Sequence, residues 1–455
     1  MPDNKFSSFS LLIDNFTIEH IRQCTEIEAQ TKLSNPEWKV SKEEIYALIA
    51  VMYARGVLAK GQPVDMVWSK KWGVPIIAEL MSRNRYKELL KYLRFDVRTS
   101  RSERVKTDKF ALFSTVWNRF IENCKVMYRP NENITIDEQL FPTKARYPFT
   151  QYIASKPDKF GIKFWLAVDA KTKYLVNGFP YLGKDPHRSS SESLSEHVVM
   201  TLMEPFLNCG RNVTTDNFFT SMKLAVRLEE KKTSIVGTVN RVRREIPTEI
   251  RNSKEPRFSS KVLQSNKATL TVYQGKPSKN VLLLSTVHRT VSILDGPKKI
   301  PESIAFYNDT KFGVDIIDQM ARLYSTKVAS RRWPMQCLYN VLDLAAINAF
   351  VLYKEVTNVK ITRREFILAL IMEILQNNKP NVEEEISGGI EASAVQESDI
   401  PDCSNSRKRT DCQMKKPNGP CRNKTNKTCN KCKKFLCGKC TARKNVVLVC
   451  KECSM

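Results

Sequence analysis

The chain has 455 residues, of which 42% are hydrophobic and 9% aromatic, enough to bury hydrophobic cores and to exclude a fully disordered or collagen-like protein. Lys and Arg number 74 against 48 Asp and Glu, so the formal net charge is +26 and nucleic acid is the favoured partner. Charge alone leaves open a generic basic protein that binds RNA or ribosomes. No run of about 18 apolar residues and no signal-peptide pattern is present, so the sequence predicts neither a membrane span nor secretion.

Residues 1–131 are predicted to form a small basic helical domain. Ser41 and Glu44 have the spacing of a capping box, and apolar residues follow them at helical spacing in SKEEIYALIAVMYARGV. The segments RYKELLKYLRF and FALFSTVWNRFIENCKVMY show the same spacing.

Residues 132–240 change to an α/β pattern. The short runs NITIDEQL, KFWLAVDA and YLVNGFPYLG are typical of strands, and SLSEHVVMTLMEPFL is typical of a helix. Strand NVTTDN, helix FFTSMKLAVRLEE and strand SIVGTVN follow, which is the order of an α/β domain. Residues 241–300 are basic and irregular, with β-like runs TLTVYQ and VLLLSTV, and are interpreted as an insertion or subdomain.

Helices return after residue 300. The segment KFGVDIIDQMARLY belongs to the predicted second part of the core, 301–324, and two long apolar helices fill 325–380. Residues 381–401 hold six acids and no Lys or Arg, so they are interpreted as a flexible acidic linker. The Cys-rich segment 402–455 follows.

Four aspartates are candidates for chemistry. Asp137 ends the strand ITID and Asp216 ends the strand NVTTD, while Asp315 and Asp318 share one face of the helix in GVDIIDQM. Strand tips and a helix can meet at one crevice of an α/β sheet, and clustered carboxylates suit Mg²⁺. An Asp after a strand is also a common helix cap, and spacing alone does not select these four from 48 acids.

Several long motifs in order resemble those of piggyBac-type DNA transposases. They are SKPDKFGIKFWLAVDAKTKYLVNGFPYLGKD, TTDNFFTSMKLA, SIVGTVNRVRREIP, FYNDTKFGVDIIDQM and RRWPMQCLYNVLDLAAINAF. The resemblance runs from about residue 10 to 360 and includes the Cys-rich tail. It implies an α/β RNase H-like catalytic core with an insertion, a helical dimerisation and DNA-binding domain formed from both flanks of the core, and a small C-terminal zinc domain.

The resemblance also implies the catalytic residues and the reaction. Asp137, Asp216 and Asp315 would be the catalytic triad and Asp318 a further required acid, together holding two Mg²⁺ ions. Water would nick the transposon end, and the new 3′-OH would attack the opposite strand and form a hairpin. The hairpins would be opened, and the 3′ ends would join double-stranded target DNA at TTAA.

Six residues are candidate DNA contacts near this site. Three of them are predicted to start the helix after Asp216, where free N–H groups suit a phosphate, and three follow the strand SIVGTVN. They are Asn217, Thr220, Ser221, Arg241, Arg243 and Arg244. Asn240 stands where the resemblance leads us to expect an arginine. The alternative interpretation of the arginines is a solvated loop.

The C-terminal tail has the spacing of a zinc domain. Three CxxC pairs lie within 25 residues, and no His occurs in this segment. Eight cysteines predict two structural Zn²⁺ ions in a cross-brace of RING or PHD type. One ion would take Cys412, Cys421, Cys437 and Cys440, and the other would take Cys429, Cys432, Cys450 and Cys453. Cys403 is a further candidate for the first ligand, and a disulfide-linked or unliganded tail is the alternative.

The sequence leaves open whether the tail binds DNA or protein. Residues 402–455 carry 15 Lys and Arg against 3 Asp and Glu, which suits DNA contacts. Protein binding, including ubiquitin-ligase activity or histone reading, is the competitor, whereas the resemblance favours transposon-end DNA. The basic clusters 407–409 and 415–416 are also consistent with a nuclear import signal.

Two hypotheses lead. The first is an active, nuclear, dimeric cut-and-paste transposase, favoured by the four intact acids. The second is a domesticated DNA-binding or chromatin protein that keeps the fold. A zinc-tail ubiquitin ligase, the third, leaves the carboxylates unexplained.

Overall fold

The computed structural model describes residues 4–154, 156–184, 188–251, 255–265, 267–277 and 279–377, and short stretches of the tail between residues 410 and 450. The chain divides into two compact units, Met1–Pro380 and Asn381–Met455. The finer division into a helical domain, a core in two parts and an insertion stays a prediction.

The first unit combines fifteen α-helices with nine strands in its described residues. The helices are α1 Lys5–Ser10, α2 Asn15–Leu33, α3 Lys42–Leu58, α4 Val64–Val67, α5 Pro75–Leu80, α6 Arg83–Tyr92, α7 Arg101–Thr107, α8 Ser114–Met127, α9 Leu194–Met203, α10 Met222–Glu230, α11 Thr248–Arg251, α12 Glu302–Thr310, α13 Gly313–Leu323, α14 Trp333–Thr357 and α15 Arg363–Asn377. The strands are β1 Asn133–Pro142, β2 Gln151–Tyr152, β3 Phe160–Asp169, β4 Leu175–Pro180, β5 Asn212–Thr215, β6 Ser234–Thr238, β7 Ser260–Gln264, β8 Thr269–Lys276 and β9 Lys279–Ser285.

All nine strands form one mixed sheet in the order β2-β3-β1-β5-β6-β9-β8-β7, with β4 paired to β3. Strand β1 runs antiparallel to β3 and parallel to β5, and β5 runs parallel to β6. The α/β order predicted for 132–240 is therefore the observed one. The parallel pairings of β5 with β1 and with β6 both end at Thr215, whereas β1 itself continues along β3 to Pro142. Ligands meet α/β sheets at the carboxyl end of their parallel strands.

The predicted insertion adds strands to this sheet instead of folding as a separate body. Strand β9 pairs antiparallel with β6 through Val236–Thr238, and β8 and β7 continue from β9. The apolar run VLLLS is buried over most of its length, which explains why it joins the central sheet.

The helices from the two ends of the chain pack together. The capping box of α3 is confirmed, because Ser41 Oγ accepts the N–H of Glu44 at 3.2 Å and the Glu44 carboxylate accepts the N–H of Ser41 at 3.1 Å. Helix α3 packs against α15, and α1 packs against α14 and α15. An ion pair of 3.2 Å between Lys5 and Glu373 adds a contact between these ends.

Helix α14 forms the centre of this packing. Its length and mean hydropathy of 1.4 would suffice to cross a membrane, but 94% of the apolar window is buried within the unit, as in a core helix. Its buried polar side chains bind other segments. Asn348 bonds both the N–H and the carbonyl of Leu175 at 2.8 and 2.9 Å, and Asp343 accepts the N–H of Thr326 at 2.7 Å.

The second unit is described only as short antiparallel strand pairs. They are β10 Thr410–Asp411 with β13 Lys424–Thr425, β11 Lys415–Lys416 with β12 Gly419–Pro420, and β14 Thr441–Lys444 with β15 Val447–Cys450. Of the predicted zinc ligands, only the backbone of Cys450 belongs to the described residues. The acidic linker 381–401, Cys403 and the other seven ligands lie outside them, so the zinc domain stays a prediction.

Candidate active site

Strand register brings Asp137 and Asp216 side by side. Ile136 of β1 pairs with Thr215 of β5, so the residue that follows each of them lies at the same edge of the sheet. The N–H of Glu138 donates to Asp137 Oδ1 at 2.7 Å, and the N–H of Phe218 donates to Asp216 Oδ1 at 3.0 Å. Asp137 is not at the tip of its strand as predicted, because β1 continues along β3 to Pro142. Both carboxylates nevertheless lie where the parallel β1–β5 pairing ends, and a backbone N–H fixes the orientation of each.

The loop after Asp216 is tied to the sheet by Thr220. Its hydroxyl donates to the carbonyl of Asp216 at 2.8 Å and lies 2.7 Å from the hydroxyl of Thr215. Gly237 of β6 allows this approach, because a Cβ there would lie 2.6 Å from the carbonyl of Thr215 and would collide with Thr220. These contacts fix the position of the loop and therefore of Asp216.

Helices α12 and α13 are fastened to β1 and β5 by threonines. Thr135 Oγ1 donates to the carbonyl of Thr310 at 2.6 Å, and Thr214 Oγ1 donates to Thr310 Oγ1 at 2.9 Å. A Cβ on Gly313 would lie 2.5 Å from Thr135 Oγ1, so a glycine is needed where α13 begins against β1. This packing brings the first turn of α13 to the edge that carries Asp137.

Asp315 is exposed on that first turn. The phenol of Tyr307, on α12, interacts electrostatically with Asp216, Asp137 and Asp315, so the three acids share one neighbourhood. Burial raises the pKa of Tyr307, and the three carboxylates add to the effect. The Tyr307 hydroxyl lies 3.4 Å from Thr238 Oγ1 at the end of β6.

Asp318 lies one turn further along α13 in a polar network. Gln139 Nε2 donates to Asp318 Oδ1 at 3.2 Å, and Arg322 Nε donates to Asp318 Oδ2 at 3.1 Å. Gln139 in turn accepts from Asn340 Nδ2 at 2.8 Å, which links the network to α14. Asp318 therefore already has a counter-cation.

The two strand aspartates have no such direct cation contact in the described residues. Burial, followed by the like charges of Glu138 and Asp216, raises the pKa of Asp137 to about 8. Burial also raises the pKa of Asp216, against the bond from the N–H of Phe218. Lys163 is a neighbouring cation at 3.8 Å from Glu138 Oε2, and burial lowers its pKa. A bound cation would therefore stabilise the charged forms of Asp137 and Asp216.

Within the described ranges, no three His, Cys, Asp or Glu side chains converge closely enough to hold a metal ion as they stand. The donor set nevertheless fits a hard cation, since Asp137 and Asp216 are adjacent, oxygen-only and mutually repelling. Exposed Asp315, one helix turn before Asp318, supplies further oxygen in the same neighbourhood.

The predicted DNA contacts fall into two groups. Helix α10 begins at Met222, not at Phe218 as predicted, so Asn217, Thr220 and Ser221 lie in the turn before it. Thr220 is fully buried, and Ser221 is the helix cap, accepting the N–H of Leu224 at 3.1 Å. Only Asn217 of the three is exposed.

The arginines lie on the segment after β6. Arg243 Nη2 donates to the carbonyl of Phe218 at 3.1 Å, so this segment contacts the loop of Asp216. Arg241 donates to the side chain of Asn280, and Arg244 is exposed. Arg244 and Asn217 present free surface, whereas the others have intramolecular partners. The DNA contacts themselves stay predictions.

Sequence reasoning missed four residues near the acids, which are Glu138, Lys163, Tyr307 and Arg322. Lys163 and Trp165 alternate along β3, and Trp165 pairs in register with Glu138. Because side chains alternate along a strand, Lys163, Trp165 and Glu138 lie on one face of the sheet. The sequence pattern could therefore have identified Lys163, but only with the pairing of β1 and β3 in hand. Tyr307 had no local signal, since its helix reaches the site only through tertiary packing.

Comparison with known proteins identifies the family of this chain. Residues 6–350 match the family model described as Transposase IS4. The human PiggyBac transposable element-derived proteins 3 and 2 are 22% and 23% identical over 81% and 76% of this chain, which spans 64% and 61% of their lengths. The cryo-EM structure of a piggyBac transposase synaptic complex with hairpin DNA superposes with a TM-score of 0.78 at 30% identity, covering 99% of this chain and 97% of that chain. The chain therefore belongs to the transposase IS4 family, in its piggyBac-type group.

Proposed function

We propose that the protein is a cut-and-paste DNA transposase with an RNase H-like core. The observation that carries this proposal is the pair of carboxylates where the parallel β1–β5 pairing ends, Asp137 and Asp216, with the acids of α13 packed beside them. The solved relative was captured with hairpin DNA in a synaptic complex, which supports double-stranded DNA as the substrate. The net charge of +26 agrees with that partner.

Asp137, Asp216 and Asp315, with Asp318 as the additional acid, are the residues that would hold two Mg²⁺ ions. When bound, such ions stabilise the charge that develops on attacking and leaving oxygens during phosphodiester displacement. The chain itself contributes fixed carboxylate orientations, a counter-cation at Asp318 and a lysine beside Glu138.

The proposed reaction is a series of in-line displacements at phosphorus. Water attacks a strand at the transposon end, an O–P bond forms and the bond to the 3′ oxygen breaks, leaving a 3′-OH. That hydroxyl attacks the opposite strand, so a new phosphodiester closes a hairpin while the flanking strand leaves. Hairpin opening and attack of the 3′-OH ends on TTAA target DNA complete the transfer.

The assembly proposed for this chemistry is a nuclear homodimer, because two transposon ends must be cut together. The Cys-rich tail is proposed to hold two Zn²⁺ ions and to read transposon-end DNA. Zinc content of the purified chain, measured by elemental analysis with a Cys429→Ser variant as control, tests the metal. A ratio of zinc to protein near zero would contradict the proposed zinc domain.

A second candidate function is DNA binding without cleavage, as in a domesticated protein. It is favoured by the names of the curated relatives, which describe element-derived proteins. The deciding experiment incubates the full chain, Mg²⁺ and DNA carrying the element's flanking ends, with Asp216→Ala as control. Hairpin products at the TTAA junction, absent with the variant, support the transposase. Binding with no cleavage supports the domesticated protein, and no binding contradicts both.

A further inference from the structure

An exposed aromatic ring lies beside the acids and has no role in the displacement chemistry. Phe218 follows Asp216 by two residues and is 42% exposed, whereas the adjacent Phe219 is fully buried. An apolar ring of this size normally lowers the free energy of the fold by burial. Its position at the edge of the candidate active site suggests a ligand that covers it.

The backbone of Phe218 is fixed on both sides. Its N–H donates to Asp216 Oδ1 at 3.0 Å, and its carbonyl accepts from Arg243 Nη2 at 3.1 Å. The ring therefore has a defined position relative to the carboxylate of Asp216.

A buried tryptophan supports the ring from one side. Trp165 is 1% exposed, and its ring stacks on that of Phe218 with centroids 5.8 Å apart and planes 12° apart. Phe219 packs edge-on against the same tryptophan at 5.5 Å. Trp165 Nε1 is buried without a hydrogen-bond partner in the described residues, so its indole serves packing. Because Trp165 covers one side of Phe218, the exposed surface belongs to the rest of the ring.

A cation completes the arrangement. Lys163 Nζ lies 3.7 Å from the ring centroid of Trp165 and 5.7 Å from that of Phe218. Aromatic rings next to a basic side chain are the arrangement with which proteins bind unpaired nucleotides, the base on the ring and the phosphate by the cation. Phe218, Trp165 and Lys163 are named the aromatic shelf below.

We propose that the aromatic shelf stacks on an unpaired nucleobase of the DNA next to the phosphate that is cut. This inference rests on the proposed function. A 3′-OH that attacks the opposite strand must cross between two backbones on opposite sides of the duplex, so bases at the junction must leave the stack. Unstacking costs free energy, and stacking on Phe218 offsets part of that cost.

The test is a double-mutant cycle in which DNA affinity is measured for protein variants and DNA variants in combination. The full chain, with Ca²⁺ in place of Mg²⁺ to prevent cutting, is titrated with end DNA that has an unpaired base at the junction, or an abasic site at the same position. For Phe218→Ala we expect affinity for the base-bearing DNA to fall roughly 5- to 150-fold, the range for loss of one base–aromatic stack. Affinity for the abasic DNA is expected to stay within about twofold.

Three variants make the result specific. Phe218→Trp keeps a stacking ring and is expected to retain the preference for the base. Phe218→Leu keeps apolar contact with Trp165, so it should fold with an unchanged melting temperature and still lose the preference. Phe160→Ala removes a ring that is 56% exposed at the first residue of β3, outside the aromatic shelf, and is expected to change both affinities equally.

Two results would overturn the proposed role of the aromatic shelf. One is an equal loss of affinity for base-bearing and abasic DNA with Phe218→Ala, and the other is an unchanged preference for base-bearing DNA with Phe218→Leu. If the wild type still cuts DNA with Mg²⁺, the proposed function stands in either case. If the wild type binds neither DNA, the proposed function fails and the inference fails with it. Separate measurement of nicks and hairpins gives a second readout, in which Phe218→Ala should nick normally and form fewer hairpins.

Discussion

The four aspartates lie in two different environments, two at the sheet where the β1–β5 pairing ends and two on α13. Asp137 and Asp216 are held next to each other by strand register and share no direct ion pair in the described residues, and burial raises the pKa of both. Asp318 has Arg322 at 3.1 Å and Gln139 at 3.2 Å. Asp318 thus has a counter-cation within the protein, whereas the sheet pair has none in direct contact, which indicates that the sheet pair is where an external cation would favour the charged carboxylates most.

The largest effect is expected from removing a strand aspartate. Asp137→Asn and Asp216→Asn should each lower DNA cleavage roughly 10³-fold or more, as for groups that act as one unit. Both variants should bind DNA as the wild type does. Single-turnover cleavage and an affinity titration on the same DNA measure the two quantities. Cleavage within tenfold of the wild type would show that the strand pair is not the chemical centre.

Stability should depend on pH and on cation. The folded pKa of Asp137, about 8, lies above its ordinary 3.8, so its ionisation destabilises the fold. Without divalent cation, the free energy of unfolding should therefore fall as the pH rises from about 4 to 8. Asp137→Asn should abolish this part of the dependence and raise the melting temperature at pH 8.

Mg²⁺ at about 100 times its dissociation constant should restore roughly 2.7 kcal/mol to the wild type. The gain should be much smaller for Asp137→Asn, and thermal unfolding with and without Mg²⁺ measures it. A stabilisation of equal size in both proteins would mean that the cation binds elsewhere.

A smaller effect is expected from removing Arg322, the ion-pair partner of Asp318 on α13. Arg322→Gln removes the counter-cation of Asp318 but leaves the carboxylate, so cleavage should fall about 10- to 100-fold, as for partners that orient metal ligands. Lys106→Gln, which breaks an exposed pair with Glu103, is the matched control and should have no effect. If Arg322→Gln cleaves normally, the neutralisation of Asp318 has no part in the chemistry.

The smallest effect is expected at Tyr307, which interacts with acids of both kinds. Its bond to Thr238 is long at 3.4 Å, so Tyr307→Phe should change the free energy of unfolding by less than about 1 kcal/mol. Tyr273→Phe, in the same hydrophobic cluster, is the control because its hydroxyl binds the carbonyl of Lys298 at 2.6 Å, away from the acids. A few-fold loss of cleavage in Tyr307→Phe alone would assign the phenol to the site.

Much of the core could be predicted from sequence because its signals are local. The runs ITID and NVTTD predict the two strands whose parallel pairing places Asp137 beside Asp216, although β1 continues past Asp137 to Pro142. Spacing did not select any of the four acids, which the family motifs identified. The approach of the α13 acids to β1 depends on Gly313 and Thr135, a contact between residues far apart in the chain.

The errors have the same physical origin. Phe218 and Phe219 continue the apolar pattern of α10 and so favour an earlier helix start, but both rings pack on Trp165 of β3 instead. Likewise, nothing local to residues 283–285 reveals that they pair with β6. Strand pairing across long separations is decided by burial of the whole sheet, which a local pattern does not contain.

Helix α14 has a consequence for synthesis of the chain. Its Asn340 bonds Gln139 of β1, 201 residues earlier, and its Asn348 satisfies the backbone of Leu175 in β4. At 5 to 20 residues per second, a ribosome needs roughly 10 to 40 seconds to travel from Gln139 to Asn340. Throughout that interval the helices that pack on α14 and the strand groups that it binds lack their partner, so a message truncated before α14 should yield an aggregation-prone polypeptide.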